Sequence, residues 1–203
     1  MTRLRAFTLI EILLVIAIVL ILLSLVLPAM RSVLESYQLR QAGSRIAAMI
    51  EEARIEAVTM QKVTAVRFIQ GSKETEFSSV GIVRITFDPS NPADPGGNKE
   101  VLHGRLFRLP EPVIIDAPRS SIFEADSGIV SKTVDAAPAA EAGKTCRDFY
   151  LFPNGTTSLN ARSPNPHLCL MTRPDALRSD AEIRNPLVIS IDPVTSRLTI
   201  YQR

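Results

Sequence analysis

The chain has 203 residues, 46% of them apolar, and its 23 lysines and arginines against 21 acids give a net charge of +2. This length suits one medium domain with an appendage, or two small domains. A net charge this small does not by itself indicate a partner of opposite charge, such as a nucleic acid.

The first element is an apolar segment near the N terminus, which we predict to be a transmembrane helix. Every residue from Ile12 to Leu27 except Ser24 is aliphatic or alanine. Extended back to Phe7, the segment covers residues 7–27, close to the ~20 residues that a spanning helix needs. A cleavable secretory signal fits poorly, because its apolar core would be only about 7–15 residues long and would end at a small-residue cleavage site.

The charges around this segment predict its orientation. Arg3 and Arg5 precede it, and no acid occurs between Met1 and Thr8. Because cytoplasmic flanks are usually enriched in lysine and arginine, we expect a cytoplasmic N terminus and a chain that lies across the membrane after Pro28.

Glu11 is the one charged residue inside the apolar segment. A carboxylate within a bilayer costs about 2.5 kcal/mol or more on insertion scales. A plain signal anchor would explain the length of the segment, but neither Glu11 nor the ordered word FTLIE. The alternative is a polar residue that is tolerated close to the membrane surface.

The word RAFTLIE, followed by an aliphatic run, resembles the N terminus of type IV pilins and type II secretion pseudopilins. The resemblance implies that a prepilin peptidase cuts between Ala6 and Phe7, on the cytoplasmic side, and methylates the new amino group of Phe7. Glu11 then corresponds to the glutamate of that family, and Pro28 to a proline that commonly interrupts its first helix. The chain departs from the family at Ala6, where glycine is usual.

This cleavage would give Glu11 a partner. It creates a charged amine at Phe7, about one helical turn from Glu11. In a packed filament, Glu11 of one subunit can meet the amine of a neighbouring subunit in a low-dielectric core, where opposite charges attract more strongly than in water. We therefore interpret Glu11 as an assembly residue.

The helical pattern continues beyond the apolar segment, so that one helix is predicted from Phe7 to about Gln61. Pro28 should kink or locally unwind this helix, and Gly43 is a mild weak point. Its second half is amphipathic and is expected to pack on a globular head as ordinary core. Apolar residues spaced mostly by three or four form this stripe: Val33, Leu34, Tyr37, Ala42, Ile46, Met49, Ile50, Ala53, Ala57 and Met60.

After Gln61 the pattern changes to alternating, β-branched segments. The predicted strands are Lys62–Gln70, Val80–Phe87, Leu102–Leu109, Val113–Ile115, Asp148–Phe152, His167–Thr172, Leu187–Ile191 and Arg197–Gln202. The first two are joined through Gly71 and suit a hairpin. The predicted fold class is therefore α+β, pilin-like, with a long N-terminal helix packed on a mostly antiparallel β head.

Two segments of the head are predicted loops. Ser131–Thr145 (SKTVDAAPAAEAGKT) is expected to be a mobile surface loop, and Asp88–Asn98 (DPSNPADPGGN) is rich in turn residues. Oxygen ligands for calcium occur in the second loop, but without EF-hand spacing, so a solvated turn is the preferred interpretation.

The two cysteines, Cys146 and Cys169, would lie in an oxidising compartment if the head crosses the membrane. They occur in or beside two predicted strands that flank the sequence FPNGTTS. A disulfide is reasonable if those strands pair, and two unpaired buried thiols are the alternative.

No catalytic motif occurs in the sequence. His103 and His167 are far apart, and there is no HExxH, no GxSxG and no phosphate-binding glycine loop. A pair made of Cys146 and His167 could be drawn, but so could any cysteine and histidine. We expect no enzyme, no cofactor and no metal site.

The expected organisation is a leader at residues 1–6, a helix at 7–61 with its transmembrane part at 7–27, and a periplasmic head at 62–203. The order of parts resembles minor pseudopilins of the GspH type and FimT-like minor pilins, more loosely than the N terminus does. The resemblance implies a single-pass inner-membrane protein that enters a periplasmic filament. Its implied partners are other pilin or pseudopilin subunits, the prepilin peptidase and the inner-membrane assembly platform.

Two other functions compete with a type II secretion pseudopilus subunit. A FimT-like pilin that captures DNA would need a basic patch, and the arginines of Arg162–Arg203 are only in slight excess and scattered, so nucleic acid is not favoured. A membrane-tethered β domain that never assembles would tolerate replacement of Glu11.

Overall fold

The computed structural model describes residues 9–87, 98–124, 127–134, 141, 143–160, 166–183 and 185–202, with the backbone alone at 25–29, 31, 87, 98 and 99. The chain divides into two units, Met1–Tyr37 and Gln38–Arg203, whose boundary falls within the first helix. We call the second unit the head.

Helix α1 (Leu9–Met60) has 52 residues, in agreement with the prediction of one long helix. It ends at Met60 because Gln61 adopts a left-handed conformation with a φ of 53°. The N–H of Lys62 then donates to the carbonyl oxygen of Ala57 at 3.2 Å, the hydrogen bond of a Schellman motif. Glutamine thus takes the position that glycine usually fills.

The part of α1 within the head buries the predicted apolar stripe. Its buried residues are Leu39, Ala42, Ile46, Met49, Ile50, Ala53 and Ala57, all in one cluster with residues of the strands. The prediction is confirmed from Ala42 to Ala57. It is wrong at both ends of the stripe, where the exposed side chains, at 56% to 65%, are Val33, Leu34, Tyr37 and Met60.

Nine strands form the described part of the sheet. They are β1 (Thr64–Gln70), β2 (Glu76–Phe87), β3 (Asn98–Arg108), β4 (Val113–Asp116), β5 (Val130–Thr133), β6 (Thr145–Leu151), β7 (His167–Thr172), β8 (Leu187–Ile191) and β9 (Leu198–Gln202). A short helix α2 (Arg173–Ala176) follows β7. Every ladder is antiparallel, which confirms the mostly antiparallel head.

The strand order is β5-β6-β1-β2-β4-β7-β8-β9, and β3 also pairs with β2. Strand β2 therefore has two partners along one edge. Its beginning, at Glu76 and Phe77, pairs with β4, and the remainder pairs with β3 as far as Phe87. The predicted hairpin of β1 and β2 is confirmed.

Gly81 lies at an irregular point of the β2–β3 ladder, where two leucines of β3 come close to β2. The register of the β2–β3 ladder shifts between Val80 and Ile82, as expected for a bulge. A Cβ atom at Gly81 would lie 2.9 Å from Cδ1 of Leu106 and 3.1 Å from Cδ1 of Leu102. The missing side chain lets these two leucines of β3 approach the face of the sheet that is turned away from α1.

Gly43 allows α1 to approach β8 closely. A Cβ atom at this position would lie 2.6 Å and 2.9 Å from the two methyl carbons of the buried Leu187. The residue predicted as a weak point of the helix is thus a packing contact of the head.

The prediction of a mobile loop at Ser131–Thr145 is wrong at both ends. Residues 131–133 belong to β5, which pairs with β6, and Thr145 begins β6. The segment was missed because edge strand β5, with the sequence VSKT, is short and mostly exposed, so it has no apolar alternation. The predicted loop Asp88–Asn98 lies outside the described residues except for Asn98, which begins β3.

Candidate functional site: the apolar segment of the first helix

We define the apolar segment as residues 9–24, the part of α1 before the side chains at 25–29 that are not described. Each of its residues is exposed. Its thirteen large apolar side chains are 47% to 83% exposed: Leu9, Ile10, Ile12, Leu13, Leu14, Val15, Ile16, Ile18, Val19, Leu20, Ile21, Leu22 and Leu23. Because these residues occur on every side of the helix, the segment has no polar face to turn towards water.

Glu11 belongs to α1, whose described part begins at Leu9. Its side chain is exposed among the apolar residues. The predicted cleavage and methylation site, Ala6 and Phe7, lies outside the described residues. The structure therefore places Glu11 near the start of the described part of α1 and leaves the processing of the chain as a prediction.

In the part of the chain that the structure describes, no helix is both long and apolar enough to cross a membrane. The transmembrane prediction for residues 7–27 is not confirmed. Pro28 lies within α1, which is continuous from Leu9 to Met60. The local unwinding predicted there is not seen, and a kink at Pro28 stays a prediction.

Cys146 and Cys169 do not form a disulfide; both thiols are free and buried. Cys146 lies on β6 and Cys169 on β7, and strands β1, β2 and β4 separate them. Neighbouring strands are about 4.8 Å apart, so the two residues are well beyond the ~7 Å that a disulfide allows between Cα atoms. The condition for that disulfide, pairing of the two strands that flank FPNGTTS, is not met because β6 and β7 are not neighbours.

The environments of the thiols favour their protonated form. Burial, together with the charge of Asp148, raises the pKa of Cys146 to about 11. Burial, together with Asp116, raises the pKa of Cys169 to about 11. Both cysteines therefore behave as small apolar core residues.

The two histidines lie in different surroundings. His103 Nδ1 is 3.0 Å from Arg84 Nη2, and its Nε2 is 3.6 Å from Glu56 Oε2. His167 Nδ1 is 2.9 Å from the hydroxyl of Ser121. Because β7 and β6 are not neighbours, the pair of Cys146 and His167 that the sequence allows is not assembled.

A buried charged network is the feature of the head that the sequence did not predict. Arg67 of β1 lies opposite Asp148 of β6, and its Nη2 is 2.6 Å from Asp148 Oδ2 and 2.5 Å from Glu100 Oε2. Lys132 Nζ of β5 lies 2.5 Å from Glu100 Oε1. The side chains of Arg67 and Asp148 are only 4% and 0% exposed. We call these four residues the Arg67 network.

Within the Arg67 network, each charged group stabilises the ionised form of its oppositely charged neighbours. Burial by itself lowers the pKa of Arg67, but the hydrogen bonds and charges of Asp148 and Glu100 outweigh it, so that this pKa is raised. Burial by itself raises the pKa of Glu100, but hydrogen bonds from Lys132 and Arg67 hold it below its usual value. The network joins β1, β3, β5 and β6. The sequence feature that could have indicated this network is Arg67, in the middle of the predicted strand KVTAVRFIQ.

Two arginines of the C-terminal segment are paired with carboxylates within the head. Arg173 Nε lies 3.3 Å from Glu76 Oε2, and Arg178 Nη1 lies 3.0 Å from Asp175 Oδ1. Their charges are therefore partly neutralised, which weakens the case for a phosphate-binding surface in this segment.

No protein-family model and no curated protein matches the sequence. Two solved structures match this chain. One is the minor pseudopilin EpsH from the Type 2 Secretion System of Vibrio cholerae, with a TM-score of 0.45 and 10% identity over 81% of this chain and 96% of that chain. The other is the type IV minor pilin FimU of Pseudomonas aeruginosa, with a TM-score of 0.39 and 14% identity over 82% of this chain and 90% of that chain.

Proposed function

We propose that this protein is a pilin-like structural subunit whose apolar segment packs in a membrane before assembly and against neighbouring subunits in a filament. The observation that carries the proposal is the exposure of the whole apolar segment. A head that forms its own core, joined to an apolar helical segment whose described side chains are exposed, is expected of a subunit that packs against other molecules.

The free energy at stake is large. Full burial of a leucine, isoleucine or valine side chain contributes about 1.5–3 kcal/mol. Thirteen such side chains, each roughly half exposed, therefore correspond to a cost of order 10 kcal/mol in water. Lipid or other subunits would remove this cost.

Glu11 has a specific role in this proposal. If the chain is cut between Ala6 and Phe7, the new amine of one subunit and Glu11 of its neighbour form an ion pair inside the filament. Such a pair is strengthened by its low-dielectric surroundings. It also disfavours any register that leaves one of the two charges buried alone, because a lone buried charge is costly.

The more specific form of the proposal is a minor pseudopilin of the GspH type in a type II secretion pseudopilus. The sequence RAFTLIE and the order of helix and β head support it. In this form the chain is a single-pass inner-membrane protein with a periplasmic head. It is processed and N-methylated at Phe7 by the prepilin peptidase and is handed to the assembly platform. A DNA-binding minor pilin has less support, because Arg173 and Arg178 are engaged with carboxylates.

The experiment that tests the proposal replaces Glu11 by valine in the native host. We expect the Glu11→Val variant to be made and retained in the membrane, but to be lost from the high-molecular-weight species obtained after chemical cross-linking. The matched control is Glu52→Val, since Glu52 is an exposed glutamate on the head part of the same helix. Normal cross-linked assemblies with Glu11→Val would contradict the proposed assembly role and support a tethered domain.

A further inference from the structure

We propose that the head carries a binding site for a carboxylate of a protein partner, an aspartate or glutamate side chain, in a cleft beside Arg147. The cleft has a volume of about 480 Å³, within the usual range for binding pockets. It lies where the β1–β2 turn, the segment after β4 and the start of β6 meet. Its lining residues are Gln70, Glu74, Thr75, Ala117, Pro118, Phe123, Thr145 and Arg147.

The guanidinium group of Arg147 is held in a fixed position. Its Cζ lies 5.8 Å from the ring centroid of Phe77 and 5.5 Å from that of Phe123. These two rings are themselves stacked, with centroids 4.4 Å apart. In addition, Arg147 Nη1 donates a hydrogen bond of 2.6 Å to the carbonyl oxygen of Phe123. Stacking and this hydrogen bond therefore orient the group before any ligand arrives.

Among the described residues, Arg147 differs from the other partly buried arginines in having no carboxylate beside it. Arg67, Arg84 and Arg119 each lie within 4 Å of at least one carboxylate. Among the described residues, no carboxylate lies within this distance of Arg147, although its side chain is only half-exposed. Its Nε and Nη2 donate no hydrogen bond to any described residue. A partly desolvated cation with free N–H donors is a favourable site for an anion.

The rest of the cleft selects the class of anion. Gln70, Thr75 and Thr145 offer neutral amide and hydroxyl groups, and Ala117 and Pro118 offer apolar surface to the methylene groups of a side chain. A single fixed guanidinium matches one planar carboxylate, with which arginine forms paired hydrogen bonds. A polyanion such as a nucleic acid would need several cations in a row. These features favour an acidic side chain on a protein surface.

Glu74 also lines the cleft and opposes an incoming carboxylate. Its side chain is exposed, so that water and salt screen its charge. It provides a test that leaves Arg147 intact, because removing the negative charge of Glu74 should strengthen binding.

The experiment uses the full chain in nonionic detergent micelles and two capped tripeptides, acetyl-Gly-Glu-Gly-amide and acetyl-Gly-Gln-Gly-amide. The Nε–Hε NMR signal of Arg147, assigned from the spectrum of Arg147→Gln, reports binding. We expect a saturable shift with the glutamate peptide and an apparent Kd at least about tenfold tighter than for the glutamine peptide. Equal shifts with the two peptides would overturn the proposal.

Variants of Arg147, Arg105 and Glu74 test which side chain is responsible for glutamate-selective binding. We expect Arg147→Gln to abolish glutamate-selective binding, Arg105→Gln to leave it unchanged, and Glu74→Gln to strengthen it about twofold. Selective binding that persists without Arg147 would contradict the assignment. If Arg147→Gln does not fold, the two-peptide comparison and Glu74→Gln still decide the matter, because neither alters Arg147.

Asp126, which lies outside the described residues, supplies the control for a carboxylate from this chain itself. We expect Asp126→Asn to leave peptide binding unchanged, and a large increase would show that the cleft is filled from within the chain and would overturn the proposal. All lining residues belong to the head. Failure of this inference would therefore leave the filament proposal standing, and the reverse is also true.

Discussion

The two parts of α1 use similar residues in opposite ways. Within the head, residues such as Ile46 and Ile50 are fully buried against the sheet. In the apolar segment, residues of the same type, such as Ile16, remain half exposed. Strands of the head cover the helix residues of the head, whereas the described side chains at 9–24 are exposed. Buried charges of the head are also paired within the chain, since Arg67 and Asp148 neutralise each other. The head thus packs its own part of the helix, and in the proposed function lipid or other subunits cover the segment.

The largest effect is expected from breaking the internal pairing of the head. Asp148→Ala would leave the guanidinium of Arg67 buried with Glu100 as its remaining acidic neighbour. Removing one member of a buried ion pair costs about 3–5 kcal/mol. Urea unfolding of the full chain in micelles measures this loss of stability. The matched control, Glu51→Ala, breaks the exposed pair of Glu51 and Arg54 and should cost ~0–1 kcal/mol.

A second prediction compares two isoleucines of α1 directly. Ile16 and Ile55 are 53% and 58% exposed, but only Ile16 belongs to the apolar segment. An aspartate in the middle of a membrane-inserted helix costs about 2.5–3.5 kcal/mol. We therefore expect Ile16→Asp to lower the fraction retained in carbonate-washed membranes roughly 100-fold relative to the soluble fraction. Ile55→Asp should leave this fraction unchanged. Equal membrane retention of the two variants would contradict the claim that the apolar segment is inserted in a membrane and the head part of α1 is not.

A third prediction concerns the close contact of helix and sheet at Gly43. Gly43→Val places branched carbons against the buried Leu187, and we expect a loss of about 1–3 kcal/mol in the free energy of unfolding. Gly43→Ala should cost less, because alanine gains about 1 kcal/mol in helix propensity. In a double-mutant cycle, Leu187→Ala should reduce the cost of Gly43→Val. Strict additivity of the two changes would show that the contact does not limit packing.

The smallest effect is expected for the pH dependence of the stability that the Arg67 network contributes to the folded head. Ionised Glu100 is favoured in the folded state, so its stabilising contribution is present above the pKa of the unfolded chain. It is lost as the pH falls through the lowered pKa of the folded state. The stability difference between the wild type and Glu100→Gln should be constant above about pH 5 and shrink below about pH 4. Chemical unfolding across this range measures it, and a difference that grows on acidification would contradict the sign.

Much of the head could be predicted from the sequence, because strands rich in apolar residues can be recognised from their local pattern. Strands β7 and β8 have the predicted limits, His167–Thr172 and Leu187–Ile191. The amphipathic stripe of α1 has its predicted place in the core from Ala42 to Ala57. In these elements the local pattern and the tertiary packing agree.

The remainder depended on which strands become neighbours, which local patterns do not determine. Edge strand β5 was missed, and the sequence left open whether the strands of Cys146 and Cys169 pair, on which a disulfide depended. The Arg67 network and the cleft beside Arg147 draw on several separate strands, so no short motif reveals them. Gly43 was interpreted through helix propensity alone, although its position is explained by the contact with Leu187.

The most direct test of the filament proposal is mass spectrometry of the N-terminal peptide from membranes of the native host. We expect a peptide that begins at Phe7 and carries one added methyl group on its amine. That result would give Glu11 the charged partner that the proposal requires. A peptide that retains Met1 to Ala6 would show that the chain is not processed, and it would contradict the proposed role of Glu11 in assembly.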